Sequence, residues 1–247
     1  MRKLNLRFWP ILVMLLLTLT TFNCEEEGDG STSKGPCSEF NERLAELSQN
    51  DCPEGTDLDN DGLCDNDEDI LDTDTSTPDI FVEIDYMENK NADPGMKLKK
   101  SVLDKIVAAF KAKDINVHFD VGPLFNGEDS YDPDNYNYCG GNEIAYKKRL
   151  ALNVSTSEDP WACSTLQTNE SCISVEELKP TNFDSVREKI FHYAVLGDQS
   201  AGDAAGLGDL PLGGSTGRHY YVTLGTIYAN GYPDNFIDGQ IAITIMH

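Results

Sequence analysis

The chain shows two kinds of hydrophobic spacing, and they alternate along it. Asp79 to Met87 (DIFVEIDYM) is almost continuously apolar, as a strand covered on both faces would be. Lys97 to Ala112 repeats at helical spacing, with Leu98, Val102, Leu103, Ile106, Val107 and Phe110 on one stripe. Ile115 to Gly122 then alternates, placing Ile115, Val117, Phe119 and Val121 on one face. Strand, helix, strand in that order predicts a parallel pair joined by a crossover helix. Phe191–Leu196 and Tyr220–Leu224 read as two further strands, with a short helix over Asp184–Ile190 between the insertion and the first of them. The last stretch, from Gln240, has Ile241 and Ile245, Ala242 and Met246 one helical turn apart, which predicts the opening of a buried helix. The class expected is α+β, a twisted mixed sheet with a crossover helix.

Between the periodic segments the pattern lapses. Residues 123–180 are rich in Asn, Asp and Tyr and predict a large surface insertion, and Ala201–Gly217 reads as a glycine-rich loop. A short amphipathic helix is expected between Cys37 and Cys52, capped by Ser38, with Phe40, Leu44 and Leu47 inward. The run Phe8–Leu19, preceded by Arg2, Lys3 and Arg7, has the length and charge of a signal-peptide core rather than a membrane span. It ends Thr-Phe-Asn23-Cys24 and resembles a bacterial lipoprotein signal. That resemblance implies lipidation of Cys24, an outer-membrane or cell-surface location, and membrane contact through the lipid alone. The domains expected are a signal peptide at 1–23, a tether with a short helix at 24–52, an acidic segment at 53–78 and a folded domain at 79–247.

Charge narrows the partners. With 19 Lys and Arg against 43 Asp and Glu the net charge is −24, which repels nucleic-acid phosphates and anionic membrane surfaces. Cations are the natural counterpart. Asp57-Leu-Asp59-Asn-Asp61-Gly62-Leu63-Cys64-Asp65-Asn-Asp67-Glu68 satisfies the twelve-residue calcium loop at every fixed position. Alternate carboxylates at positions one, three and five point into one concavity, glycine at six permits the turn, and a terminal glutamate supplies two oxygens. The ligands expected are Asp57, Asp59, Asp61, the Leu63 carbonyl, Asp65 directly or through water, and Glu68. Pro53 and Gly55 argue against a helix leading into this loop. Together with its tail to Asp79, the segment resembles the thrombospondin type 3 calcium repeats of bacterial surface proteins, which implies a stiffening role.

Seven cysteines occur. With Cys24 set aside, Cys37, Cys52 and Cys64 lie in the N-terminal segment and Cys139, Cys163 and Cys172 in the insertion. Fifteen pairings are possible, and if all six pair, at least one bridge must join the two groups. His118, His192 and His219 lie in or beside predicted strands with no helical i, i+4 pairing, so they are expected to be structural histidines.

The order of Asp79-Ile-Phe-Val-Glu-Ile-Asp-Tyr-Met, Val117-His-Phe-Asp-Val-Gly, Phe191-His-Tyr-Ala-Val-Leu, Ala205-Gly-Leu-Gly, Tyr221-Val-Thr-Leu-Gly and Ile243-Thr-Ile-Met-His247 resembles secreted bacterial zinc metallopeptidases of the metzincin type. The resemblance spans residues 79–247. It implies that His247 is the first zinc ligand, on the active-site helix, and that the substrate is a protein or peptide. The sequence as written stops before the glutamate and the other two ligands, so an incomplete helix, an inactive chain and exposed apolar surface at Ile241, Ile243 and Ile245 are expected. The competing expectation is a non-enzymatic calcium-binding surface lipoprotein that acts in adhesion or protein binding.

Overall fold

The computed structural model describes residues 36–47, 52–53, 55–88, 96–153, 162–165, 170–202, 204–208 and 219–246. The signal segment, Cys24 and His247 lie outside the described residues. In chain order the helices and strands are α1 (Pro36–Glu46), α2 (Asp65–Leu71), β1 (Asp79–Met87), α3 (Lys100–Lys111), β2 (Asn116–Asp120), β3 (Glu143–Ile144), β4 (Arg149–Ala151), β5 (Cys172–Ser174), α4 (Val175–Asn182), β6 (Phe191–Gly197), β7 (Gln199–Ser200), β8 (Gly206–Gly208), β9 (His219–Thr223), α5 (Leu224–Ala229) and α6 (Asp234–Met246). The α+β class and the mixed sheet expected from the sequence are both present.

β1 is an interior strand with neighbours on both sides, and its mostly apolar character follows from that position. It pairs in parallel with β2 on one side and β6 on the other, and its last residues, Tyr86 and Met87, also pair with β3. β9 runs parallel to β6, and β8 closes the edge antiparallel to β9, giving the order β2, β1, β6, β9, β8. A small second sheet, β5, β4, β7, is all parallel. α3 buries Val102, Leu103 and Ile106, three of the six stripe residues, each worth roughly 1.5–3 kcal/mol of burial. α6 packs against α3 and turns Ile241, Ala242 and Ile245 inward.

Alternation along β1 sorts its side chains. Ile80 and Val82 share a groove of about 630 Å³ with Val117, Phe119, Phe110 and Met246. Phe81, Glu83 and Asp85 face the other way, into the residues the sequence assigned to an insertion. That assignment is corrected by the structure. Tyr138, Ile144, Leu150, Leu152, Val175 and Leu178, all from the 123–180 stretch, are buried in the main core. The stretch escaped the periodic reading because its strands are two or three residues long, too short for alternation to register.

Polar side chains hold this layer down. Arg187 is fully buried, donates through Nη1 to the Tyr138 carbonyl at 2.9 Å, and pairs with Glu83 through Nε and with Asp120 through Nη2. Asp120 also accepts from the N–H groups of Gly122, Tyr138 and Gly140, at 3.0, 3.0 and 2.7 Å. A Cβ at Gly140 would lie 2.5 Å from Glu83 Oε2, so this close approach requires glycine. Asp85 accepts from Tyr193 Oη at 2.5 Å and from Asn142 N–H at 2.6 Å.

All six cysteines after Cys24 pair, as Cys37–Cys139, Cys52–Cys64 and Cys163–Cys172. The first is the bridge that parity required between the N-terminal segment and the domain. Beside it α1 sets Phe40 against Tyr131 and Tyr138, at ring separations of 5.0 and 5.8 Å. Helix α1 begins at Pro36, so Ser38 lies inside its first turn instead of capping it.

Candidate metal centre

Residues 57–64 form an irregular loop that leads into α2, and the last four positions of the motif lie in that helix. Gly62 adopts φ +95° at position six, a conformation that demands glycine, and Asn60 adopts φ 61°. Hydrogen bonds inside the loop fix the carboxylates. Asp57 Oδ2 accepts from Gly62 N–H at 3.2 Å, Asp59 Oδ1 from Asp61 N–H at 3.3 Å, and Asp61 Oδ1 from Leu63 N–H at 2.7 Å. Asp65 uses Oδ1 to accept from Leu58 N–H at 3.0 Å. The Cys52–Cys64 bridge ties the segment before the loop to the residue preceding α2. Among the described residues no helix leads into the loop; a helix does lead out of it, and its first turn carries Asp65, Asp67 and Glu68.

For Asp57 and Asp59 these bonds occupy one carboxylate oxygen and leave the other. Asp57 Oδ1, Asp59 Oδ2 and both oxygens of Glu68 are buried and meet no hydrogen-bond donor among the described residues. Glu68 is wholly inaccessible to solvent. Burial, followed by the negative charge of Asp59, Asp61, Asp79 and Asp65, pushes its carboxyl from 4.5 up to about 7. Asp59 is raised by the same causes, burial first and then Asp61. An anion sealed among anions with no donor is costly in isolation and is the expected condition of a cation ligand.

The structure also brings in a residue that the loop pattern omits. Asp79, the first residue of β1, donates its N–H to Asp61 Oδ2 at 2.8 Å. Its own Oδ1 lies 2.5 Å from His118 Nε2, His118 Nδ1 lies 3.0 Å from Tyr138 Oη, and Asp79 Oδ2 is a further buried oxygen without a donor among the described residues. The ring of His118 stacks on Phe81 at 4.4 Å. His118 is therefore a bonded structural histidine, in keeping with its strand position. The signal for Asp79 was an acidic residue opening a mostly apolar strand, where a carboxylate needs a partner.

Carboxylate oxygens of Asp57, Asp59 and Asp61 lie within 4.8 Å of one another, and so do those of Asp61, Glu68 and Asp79. Among the described residues no histidine joins either triad. Leu63, at position seven, is half-buried beside them, and Asp65 stands outside both triads. An all-oxygen, carboxylate-rich donor set of this kind suits a hard divalent cation. Comparison with protein-family models, curated proteins and solved structures finds no match for this chain.

Proposed function

We propose that the loop Asp57–Glu68 binds calcium, and that the bound ion stiffens the segment leading to a sheet domain of the metzincin zinc-peptidase type in a lipid-anchored surface protein. The observation that carries the calcium reading is Glu68. It stands at the twelfth position, fully buried, with both oxygens lacking a donor among the described residues. Calcium would draw on Asp57, Asp59, Asp61, the Leu63 carbonyl and Glu68, with Asp65 reached through water. Extracellular modules of this kind bind at about 10⁻⁴ to 10⁻³ M. The test is thermal unfolding of the chain in chelator and in millimolar calcium. A clear rise in Tm with calcium supports the reading, and identical curves reject it.

The peptidase reading is supported by α6, which comes after β9 and α5, packs against α3, buries Ile241, Ala242 and Ile245, and leaves Ile243 46% exposed. Zinc in such a centre supplies Lewis-acid activation of a water molecule, and His247 is this sequence's contribution to holding it. A polypeptide carried past His247 by its native coding sequence, assayed for bound zinc and peptide hydrolysis, tests this. Absence of both would favour the adhesion or protein-binding alternative, which the calcium centre serves equally well.

A further inference from the structure

The loop accounts for one cation and leaves part of the acidic cluster over. A calcium ion holds its oxygens at about 2.3–2.6 Å, so oxygens sharing one ion lie within about 5 Å of each other. Each triad meets that condition separately. Asp57 and Asp59 belong to one, Glu68 and Asp79 to the other, and Asp61 to both, so that with two ions bound Glu68 passes from the loop's ion to the second. We propose that the cluster takes two divalent cations side by side, calcium by the character of the donors, with Asp61 between them and Asp79 supplying the second ion with a ligand from the sheet. The proposal rests on the calcium reading of the loop and adds a site that the loop pattern does not contain.

Three observations beyond the clustering of acids support it. The side chain of Asp79 is fully buried, and its Oδ2 has no donor among the described residues. Glu68, its neighbour in the triad, is equally buried with two such oxygens. The free oxygen of Asp79 is also oriented: His118 Nε2 holds Oδ1, and Tyr138 Oη steadies the ring from the far side. This is the outer-shell arrangement that fixes a ligating carboxylate. Charge points the same way. Asp57, Asp59, Asp61, Glu68 and Asp79 carry five formal negative charges, two of them on buried residues; one divalent ion leaves three uncompensated in a tight cluster, and two leave one.

The second ion has a different structural task from the first. The first joins residues of one loop. The second joins the loop and the start of α2 to the first residue of β1, so its binding couples the N-terminal segment to the sheet directly.

The test counts ions on the intact chain. After chelation and exchange into buffered KCl, calcium is titrated by calorimetry, and stoichiometry is confirmed by native mass spectrometry. Two ions are expected on the wild type. Asp79→Ala is expected to hold one, with the affinity of the remaining site changed less than about tenfold, and Asp79→Asn to weaken one of the two sites selectively. A single ion on the wild type, or two retained by folded Asp79→Ala at wild-type affinities, overturns the proposal. No ion on the wild type removes the loop reading itself, which keeps the two failures apart. Should Asp79→Ala not fold, the wild-type count decides alone: two ions uphold the second site, one refutes it.

Discussion

Replacing Glu68 with Gln removes a charge and keeps the shape, and its effect should change sign with calcium. In calcium-free protein the folded state keeps the Glu68 proton up to about pH 7, whereas the unfolded chain releases it near 4.5. Folding stability from this group is therefore complete below pH 4.5 and is lost as pH rises through 7. Above that range the ionised side chain costs about 3 kcal/mol, from a displacement of roughly 2.5 pH units at about 1.4 kcal/mol each. Glutamine cannot ionise. In chelator near pH 8, Glu68→Gln should thus be more stable than wild type by up to about 3 kcal/mol, a rise in Tm on the order of 6–12 °C for a chain of this size. At about pH 4.5 the difference should vanish. In millimolar calcium the order should reverse, because the variant lacks the anionic bidentate ligand that the ion would recruit. Differential scanning calorimetry over that pH range, with and without calcium, measures all three. A variant less stable than wild type in chelator at high pH would refute the reasoning, as would an unchanged ranking on adding calcium.

Three other perturbations follow from the architecture. Removing the Cys37–Cys139 bridge as a Ser pair frees a closure spanning 102 residues, which should lower stability by about 4–5 kcal/mol in urea unfolding at saturating calcium, against about 3 kcal/mol for the nine-residue Cys163–Cys172 closure. Arg187→Met leaves Glu83 and Asp120 buried without their cation and should cost about 3–5 kcal/mol; Arg187→Lys should recover only part, since one ammonium cannot reproduce the forked contacts to Glu83, Asp120 and the Tyr138 carbonyl. Burial lifts Asp85 from 3.8 to about 6, so the stability it contributes is present below pH 3.8 and lost as pH rises through 6; Asp85→Asn should gain relative to wild type by on the order of 2–3 kcal/mol between those limits, and a pH-independent difference in chemical denaturation would contradict this.

What could be read from the sequence was what local spacing controls. β1 and α3 declare themselves because an interior strand and a sheet-covering helix need long apolar patterns, and the acidic loop because its carboxylates follow one another at alternate positions. Contacts made across the chain left weaker traces. Asp79 joins the acidic cluster only once β1 lies against the loop. Glu83 and Asp85 stood in plain view as two acids on one face of an apolar strand, yet nothing local named Arg187 as their partner. Helix α4 did carry a legible mark, Ser174 with Glu177 three residues on, and the structure forms that capping box in full; Pro180 within the helix and the polar sequence before it obscured the signal. The helix expected over Asp184–Ile190 is instead a single tight turn, Arg187–Lys189, set by Asp184 accepting from Val186 N–H at 3.1 Å. At the chain's end Gly239 hid the start of α6, which begins at Asp234 instead of Gln240, and packing against α3 buries Ile241 and Ile245, leaving only Ile243 of the three isoleucines exposed.

The Cys37–Cys139 bridge also decides what a protease can release. A cut anywhere between those two residues yields one fragment that keeps Cys37 and another that keeps Cys139, and the bond holds them together. Backbone scission across the acidic loop, or through β1 itself, would leave the nicked halves travelling as one molecule until a reductant reached them. If Cys24 bears lipid, the domain of such a nicked molecule would stay at the membrane, and shedding would require either a cut before Cys37 or a change in the redox state of the surroundings.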